Sequence, residues 1–556
     1  MKARSVPQRL WSVVLAGVWI AGLGTPGARA QGGEPTTFAI RGAKVVPVSS
    51  APLENATVVV SRGLITAVGP DAKIPPEAWV IDGKGLIVYP GLMDSFTDVG
   101  IASAPGAEGG SRQQPPVSRG PEDRPSTTPW RSAADEVNPS DARIETWRMA
   151  GFTTVVAAPK EGFFPGQAAV LDLGGERAGD FAVKSSVALP VSFHATGGFR
   201  SYPGSLMGGI AYVRQVWLDT NWDTQADAIY AKNPKGEARP RYDRSDAALA
   251  DALSKHAVVL IPGNTSLQIL RALRLSGEWK LNAVLYGAQM SYEVAPEITA
   301  HKMPVLLDLK WPEAPKDGDP EAITSLRELR FWDRAPSSAA ALDKAGVKFA
   351  FYSGGITAPK DILPAVKKAI DAGLSPDAAL RALTLSPAEI FGVSETLGSI
   401  EKGKIANLVV TDGDLFDKKT KVKLVFVDGR KYEVREVLRP GEPPKGNMTG
   451  KWNLKFTTQQ GDEEATADLV MEPDGTLTGT VSGNRGSGSV FSGWVSGDNF
   501  TFTINLEIEG SPSDVVLTGT FEGNSMKGSI QAQGYTIDFT GTKPSVATAA
   551  FAGGAR

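Results

Sequence analysis

The chain has 556 residues, of which 42% are hydrophobic and 21% charged, with a formal net charge of −3 and no cysteine. This length exceeds one ordinary domain, and 12 Trp with 21 Phe exclude a largely disordered chain. Without cysteine there are no disulfides and no thiolate chemistry. The slight negative charge argues against nucleic acid as a partner.

The first 30 residues have the pattern of a secretory signal peptide. Basic residues precede an apolar run from Leu10 to Leu23, and the small-residue sequence Ala28-Arg29-Ala30 ends it. No stretch reaches the roughly 20 apolar residues that a transmembrane helix needs. We expect cleavage after Ala30 and a periplasmic or secreted protein without a membrane span, with a signal anchor as the alternative. Cleavage leaves 54 basic and 61 acidic residues, a net charge of −7.

Short β-prone segments separated by Gly, Pro and Asn run from Thr37 to Asp82. A second set begins at Gly398 and continues through KVKLVFVDGRKYE. Neither set has enough strands to bury a face alone. The sequence therefore predicts that residues 31–89 and 395–437 combine into one β-sandwich domain.

Between these sets, residues 85–100 read GLIVYPGLMDSFTDVG, an apolar run that ends in a Pro-Gly turn and a polar tip. Pro90 to Asp94 resembles the first-strand signature P-G-[LIF]-[IVM]-D-x-H-x-H of the metal-dependent amidohydrolase superfamily. Residues 398–409, GSIEKGKIANLV, resemble the superfamily pattern G-[ST]-[IL]-x-x-G-K-x-A-D-[LIF]-V, with Asn407 in place of Asp. The resemblance implies an imidazolonepropionase-like α/β fold with a (β/α)8 barrel over residues 90–394. It also implies a hydrolase of carbon–nitrogen bonds other than peptide bonds.

Within residues 90–394, strand-like apolar runs alternate with helical stretches, which predicts a parallel sheet closed into a TIM-like barrel. The segment 151–159, GFTTVVAAP, resembles the superfamily's G-[VIF]-T-T-[VA] strand. Residues 102–138 are dense in Gly, Ser, Pro and Arg, so we interpret them as a long active-site loop or a disordered insertion.

Residues 438–447, LRPGEPPKGN, form a Pro/Gly linker. Beyond it apolar residues alternate with a period of two, which predicts an antiparallel β-barrel or sandwich, lipocalin-like in general shape, over residues 448–545. Such a module can bind a ligand, dock a partner or cover an edge, and its sequence does not choose among these roles.

The resemblance implies a metal-activated water and an aspartate that shuttles its proton. The usual ligands are two His on strand one, a mid-barrel Lys or carboxylate, and one His on each of two later strands. Here the corresponding ligand positions hold Phe96, Asp98, Pro262 and Gly287, and the acid/base position holds Gly354. The chain has three histidines, so four histidine ligands are impossible. We therefore expect no cofactor, with zinc or another divalent metal bound only if a site is rebuilt around Asp98 and His194.

The candidates that remain at the barrel mouth are Asp98, Lys160, His194, Lys310 and Ser353. His194 suits a structural or substrate-contacting role, while His256 and His301 are placed at the barrel bottom and receive none. Two hypotheses stay open: a hydrolase with a reduced site, and a catalytically inactive periplasmic ligand-binding or scaffold protein, a pseudoenzyme. Either would take a small molecule, and the sequence does not fix the oligomeric state.

Overall fold

The computed structural model describes residues 36–101, 124, 126–194, 203–254, 257–314, 324–434, 442–458, 461–483, 486–508, 511–532 and 535–543. The chain divides into two compact units at Val434 and Arg435. The signal peptide, His256 and most of residues 102–138 lie outside the described residues. The predicted domain boundaries and the signal peptide therefore stay predictions. No helix in the described ranges is both long and apolar enough to cross a membrane.

The described part of the first unit has sixteen strands. They are β1 (Thr37–Val45), β2 (Leu53–Ser61), β3 (Leu64–Gly69), β4 (Trp79–Asp82), β5 (Ile87–Pro90), β6 (Leu92–Thr97), β7 (Phe152–Ala157), β8 (Ala168–Asp172), β9 (Ala182–Pro190), β10 (Val258–Gly263), β11 (Ala283–Gly287), β12 (Val305–Asp308), β13 (Phe349–Tyr352), β14 (Leu408–Thr411), β15 (Val422–Val427) and β16 (Arg430–Glu433).

The α-helices in the same described part are α1 (Ala142–Met149), α2 (Ala178–Phe181), α3 (Leu206–Lys232), α4 (Asp246–Leu253), α5 (Ser266–Trp279), α6 (Ala295–Ala300), α7 (Leu326–Arg334), α8 (Ser338–Lys344), α9 (Ile362–Asp371), α10 (Pro376–Ala382) and α11 (Leu385–Ile390). Side-chain caps begin several of them. In α5, for example, Thr265 and Gln268 form a capping box that satisfies two backbone N–H groups.

One sheet unites strands from the two ends of this unit, in the order β16-β15-β14-β5-β1-β2-β3, with β4 beside β1. The two sets meet where β14 pairs antiparallel with β5. Their apolar faces share one core, in which Phe38 and Phe426 pack with ring centroids 5.5 Å apart. The expectation that both ends of the chain form a composite β-domain is confirmed.

The Pro-Gly turn between β5 and β6 is fixed by close packing. A Cβ atom on Gly91 would lie 2.0 Å from Oγ1 of Thr153, so a larger residue would force the two strands apart. The backbone N–H of Gly91 donates to the carbonyl of Asn407 (2.8 Å), which ties the barrel to the composite sheet. The retained signature therefore has a packing role that is independent of any metal.

Strands β6 to β13 lie side by side in chain order, in a nearly closed barrel. Adjacent strands are parallel except at β8, which runs antiparallel to both β7 and β9. The prediction of a wholly parallel sheet is wrong at this strand. A parallel crossover needs about a dozen residues or more, usually with a helix, whereas β7 and β8 are joined by residues 158–167 without one.

Alternate residues of the barrel strands face two different cores. One core lies between strands and helices, and the other fills the barrel interior with side chains such as Met93, Phe96, Leu260, Leu306 and Tyr352. This is the layered filling expected of a TIM-like barrel, which is a packed core rather than a pore. Inward-facing residues at the carboxyl ends of the strands consequently line the mouth.

The second unit is a closed barrel of eight antiparallel strands. The strands are β17 (Gly450–Thr458), β18 (Gly461–Met471), β19 (Leu477–Gly483), β20 (Gly486–Ser496), β21 (Asn499–Ile508), β22 (Ser511–Glu522), β23 (Ser525–Ala532) and β24 (Tyr535–Thr542). Its interior holds its own apolar core, which includes Trp452, Phe500, Phe502 and Phe539. The predicted antiparallel all-β module is confirmed.

Candidate functional site

The barrel mouth is closed at its centre by three aromatic rings. Phe96, at the end of β6, is 7% exposed and packs against Tyr286 and Tyr352, with ring centroids 5.1 and 5.8 Å away. The hydroxyl of Tyr286 donates to the carbonyl of Val191 (3.0 Å). Burial raises the pKa of Tyr286 above its usual value, so the phenol stays neutral. The cluster presents no anionic or imidazole donor.

Asp98 lies beside two cationic side chains. Lys160 Nζ is 3.1 Å and Arg143 Nη1 is 3.4 Å from Oδ1 of Asp98. Burial pushes the pKa of Asp98 upward, but the Lys160 ammonium and the Arg143 guanidinium outweigh it and hold the pKa below its usual value. Asp98 is therefore ionised and already neutralised by protein cations, and a further metal cation would meet two positive neighbours.

Asp94 fastens the first barrel strand to the segment that follows the last one. Its side chain is 1% exposed. Oδ1 accepts from the backbone N–H of Ser353 (2.9 Å), and Oδ2 accepts from Nε1–H of Trp147 in α1 (3.3 Å). Burial raises the pKa of Asp94 although these hydrogen bonds oppose it. Ser353 thus contributes its backbone to the closure of the barrel.

His194 follows β9 and is exposed, and its backbone N–H donates to Oγ of Ser192 (3.1 Å). His301 caps the end of α6, where its Nδ1 lies 2.8 Å from the carbonyl of Glu297. Across the described ranges, no three or more His, Asp or Glu side chains are grouped so that they could hold a metal ion.

Of two further ligand positions predicted from the sequence, Pro262 and Gly287, only Pro262 faces the barrel interior. Pro262 alternates with Leu260 and so faces the interior near the end of β10. On β11 the interior residues are Val284 and Tyr286, so the inward side chain at that strand end belongs to Tyr286 rather than to Gly287. The ring of Tyr286 therefore occupies the ligand position that the sequence assigned to Gly287, which has no side chain.

Asp308, at the end of β12, is the carboxylate that sequence reasoning missed. Its Oδ1 accepts from the backbone N–H of Lys310 (2.7 Å), and its Oδ2 accepts from the hydroxyl of Tyr352 (3.4 Å). A Cβ atom built on Gly354 would lie 1.7 Å from Oδ1 of Asp308. The carboxylate therefore fills the space beside Gly354, where the superfamily resemblance places the acid/base aspartate.

Asp308 titrates near neutrality. Burial raises the pKa of Asp308 to about 7, and this shift is only partly opposed by the Lys310 N–H, the Tyr352 hydroxyl and the ammonium groups of Lys310 and Lys160. Lys310 Nζ donates to the carbonyl of Gly355 (3.3 Å), which holds its charge at the same rim. A carboxyl group with this pKa can both donate and accept a proton at physiological pH.

The alternation of inward and outward residues along β12 (Val305–Asp308) could have predicted the inward position of Asp308. Leu306 and Asp308 are two residues apart, so a strand that buries Leu306 in the barrel turns Asp308 inward as well. An acidic residue on the inward face at a strand's carboxyl end is a candidate functional residue in this fold.

Comparison with known proteins agrees with this fold. A model of the amidohydrolase family matches residues 333–438. Amidohydrolase tasK of Hapsidospora irregularis is 24% identical over 418 residues, which cover 67% of this chain and 39% of that protein. The adenine deaminase of Rubrobacter xylanophilus is 24% identical over 394 residues, which cover 70% of this chain and 56% of that protein. The match thus spans about half the length of these curated relatives.

Among solved structures, an amidohydrolase from Thermotoga maritima superimposes with a TM-score of 0.59 at 24% identity, covering 71% of this chain and 100% of that one. This likeness supports the barrel with its β-rich flanking domain. The chain therefore has the fold of the amidohydrolase superfamily, and one segment of it matches the model of that family.

Superfamily members usually use a divalent metal, which needs suitable ligand side chains at the barrel mouth. Zinc requires imidazole, thiolate or carboxylate donors converging on one point. The inward positions instead carry the Phe96 phenyl ring, the Pro262 ring and a Tyr286 hydroxyl that is already hydrogen bonded. Asp98 is paired with cations. These residues do not fit a metal centre of the superfamily's kind.

Proposed function

We propose that this protein is an exported superfamily member that binds a small molecule at the barrel mouth and does not carry out metal-dependent hydrolysis of carbon–nitrogen bonds. The packing of Phe96 between Tyr286 and Tyr352 carries this proposal, because rings without free metal donors occupy the centre of the mouth. The core contacts of Phe96 also make its replacement by a ligand side chain costly.

The charges at the mouth indicate which small molecules suit it. Asp308 is partly protonated near pH 7, and Lys160 and Lys310 contribute ammonium groups that also act on its pKa. Such a rim complements a ligand with an amide or ring nitrogen and an anionic or carbonyl oxygen. The names of the relatives, an amidohydrolase and an adenine deaminase, support a nitrogen-containing ligand.

One observation favours a second candidate, a metal-free hydrolase of carbon–nitrogen bonds. The Asp308 carboxylate, with its pKa of about 7, has the properties of a general acid/base. It would accept a proton from water as the water oxygen bonds to the carbonyl carbon. It would then donate that proton to the nitrogen as the carbon–nitrogen bond breaks.

Hydrolysis assays with and without a chelator separate these candidates. The full-length protein is incubated with small amides, ureas and aminopurines, and Asp308→Asn is compared with Asp343→Asn, which changes an exposed helix residue. A binding protein gives no hydrolysis in either sample. A metal-free hydrolase stays active with chelator, and it loses activity in Asp308→Asn but not in Asp343→Asn. Its rate increases as pH rises through about 7. Activity abolished by the chelator contradicts both candidates.

Binding is measured with the same compounds by thermal shift. A ligand that binds only the folded state raises the melting temperature when its concentration exceeds its Kd. We expect a rise with at least one compound at about 1 mM, reduced in Asp308→Asn and unchanged in Asp343→Asn. If no compound raises the melting temperature and none is hydrolysed, the mouth is not a small-molecule site of this class.

Export is part of the same proposal and rests on the N-terminal pattern of residues 1–30. Fractionation of cells that express the full chain should recover it from the periplasm or the medium. Its first residue should be Gln31. Recovery from the cytoplasm with residues 1–30 intact would refute export.

A further inference from the structure

The outer wall of the second unit carries a row of polar side chains across five adjacent strands, β20 to β24. The residues are direct cross-strand neighbours: Trp494, Thr501, Thr518, Ser529 and Asp538. They alternate along their strands with core residues such as Phe500 and Phe539, so they face outward. Adjacent strands lie about 4.8 Å apart, so the row extends for about 19 Å.

A second row lies beside the first, two residues along each strand. Its members are Ser496, Asn499, Thr520, Lys527 and Thr540, again in direct register. The two rows line one open groove of about 850 Å³. This volume is in the range of small-molecule and short-oligomer sites.

Two glycines let adjacent strands of this wall approach each other closely. Gly519 and Gly528 lie opposite each other on β22 and β23, at positions whose side chains would point into the barrel. A Cβ on Gly519 would lie 2.2 Å from the carbonyl oxygen of Lys527, and a Cβ on Gly528 would lie 2.1 Å from that of Thr518. Since neither position tolerates a side chain, the two strands approach each other closely at these glycines.

The chemistry of the groove defines its ligand. Hydroxyl and amide groups supply both donors and acceptors, and the single Lys527 and single Asp538 leave the lining without net charge. A neutral lining does not suit a polyanion such as nucleic acid. The half-buried indole of Trp494 at one end offers a flat apolar face beside these hydrogen-bonding groups.

We propose that this groove binds a neutral saccharide chain. Sugar hydroxyls exchange hydrogen bonds with the two rows, and the C–H face of one ring stacks on Trp494. The length of the rows fits a short run of linked sugars rather than a single ring. This site is separate from the barrel mouth and does not depend on the function proposed there.

Isothermal titration of the full-length protein with cellohexaose, xylohexaose, chitohexaose and maltohexaose tests the proposal. We expect at least one to bind with a Kd of about 1 mM or tighter. Trp494→Ala should weaken that binding by about tenfold, and Trp494→Phe should restore most of it, because a phenyl ring keeps the flat apolar face. Thr480→Ala changes an exposed β19 residue outside the groove and should bind like wild type.

Two outcomes would overturn the proposal. One is the absence of binding to all four hexasaccharides. The other is equal binding by Trp494→Ala and wild type, which would locate the saccharide elsewhere. The melting temperature of Trp494→Ala shows whether that variant is folded. Saccharide binding by Thr518→Ala is a second test of the groove, because this change truncates a groove hydroxyl without removing an aromatic ring. Asp308→Asn should leave saccharide binding unchanged, so failure at the barrel mouth and failure at the groove are distinguishable.

Discussion

Replacing Gly354 with alanine should destabilise the barrel, and the loss should be much larger when Asp308 is present than when it is absent. Gly354 has a φ of +64°, in the left-handed region where a Cβ costs about 1–2 kcal/mol. Its Cβ would also lie 1.7 Å from Oδ1 of Asp308, which must move. Overpacking of this kind costs about 1–3 kcal/mol.

Displacement of Asp308 adds a further loss. The Lys310 N–H, now hydrogen bonded at 2.7 Å, would lose its acceptor at a cost of about 1–3 kcal/mol. The sum for Gly354→Ala is about 3–8 kcal/mol. With Asp308→Ala in place only the left-handed φ remains, and Gly354→Ala should then cost about 1–2 kcal/mol. The coupling between the two substitutions is therefore about 2–6 kcal/mol.

A double-mutant cycle measures this coupling. Urea unfolding of wild type, both single variants and the double variant is followed by far-ultraviolet circular dichroism at the helical band. The described helices all lie in the barrel unit, so this signal reports its unfolding. Effects that add to within about 0.5 kcal/mol would show that Asp308 does not occupy the space beside Gly354.

Three other predictions concern stability. Burial and the neighbouring Asp428 raise the pKa of Asp172 well above its usual value. The folded state therefore binds this proton more tightly than the unfolded state, which contributes stability that is fully present below about pH 4 and is lost as pH rises. Asp172→Asn should therefore gain stability over wild type from pH 4 upward, and parallel pH curves would contradict this. Asp94→Ala leaves two buried N–H donors unpaired, one of them on Trp147, and should cost about 2–5 kcal/mol in urea unfolding; a loss under 1 kcal/mol would refute this role. Residues 446–545 expressed alone should melt cooperatively because they hold their own core, and a molten fragment would show otherwise.

The frame of the fold could be predicted from the sequence because its signals are local. Pro90-Gly91 marks a turn whose glycine is required by the contact with Thr153. Asn407 lies in a fixed pattern, and its side chain accepts from the Asp428 N–H (2.8 Å) and donates to Thr154 (3.1 Å). Alternation with a period of two likewise predicted the second barrel.

The missed features depend on relations between strands. The direction of β8 follows from a short connection without a helix, although its apolar sequence resembles that of a parallel strand. The role of Asp308 depends on the register between β12 and β13, which pairs it with Tyr352 and sets it beside Gly354. At β11 a difference of one residue decides whether Tyr286 or Gly287 faces inward.

Metal content tests the central claim most directly. Full-length protein purified without chelator is incubated with zinc, desalted and measured by inductively coupled plasma mass spectrometry. We expect well under one zinc per chain and no rise in melting temperature, because Phe96 and Tyr286 offer no free donor and Asp98 is paired with Lys160. One zinc per chain, with a raised melting temperature that disappears in Asp98→Ala or His194→Ala, would show that a metal centre is present and would contradict the proposed metal-free mouth.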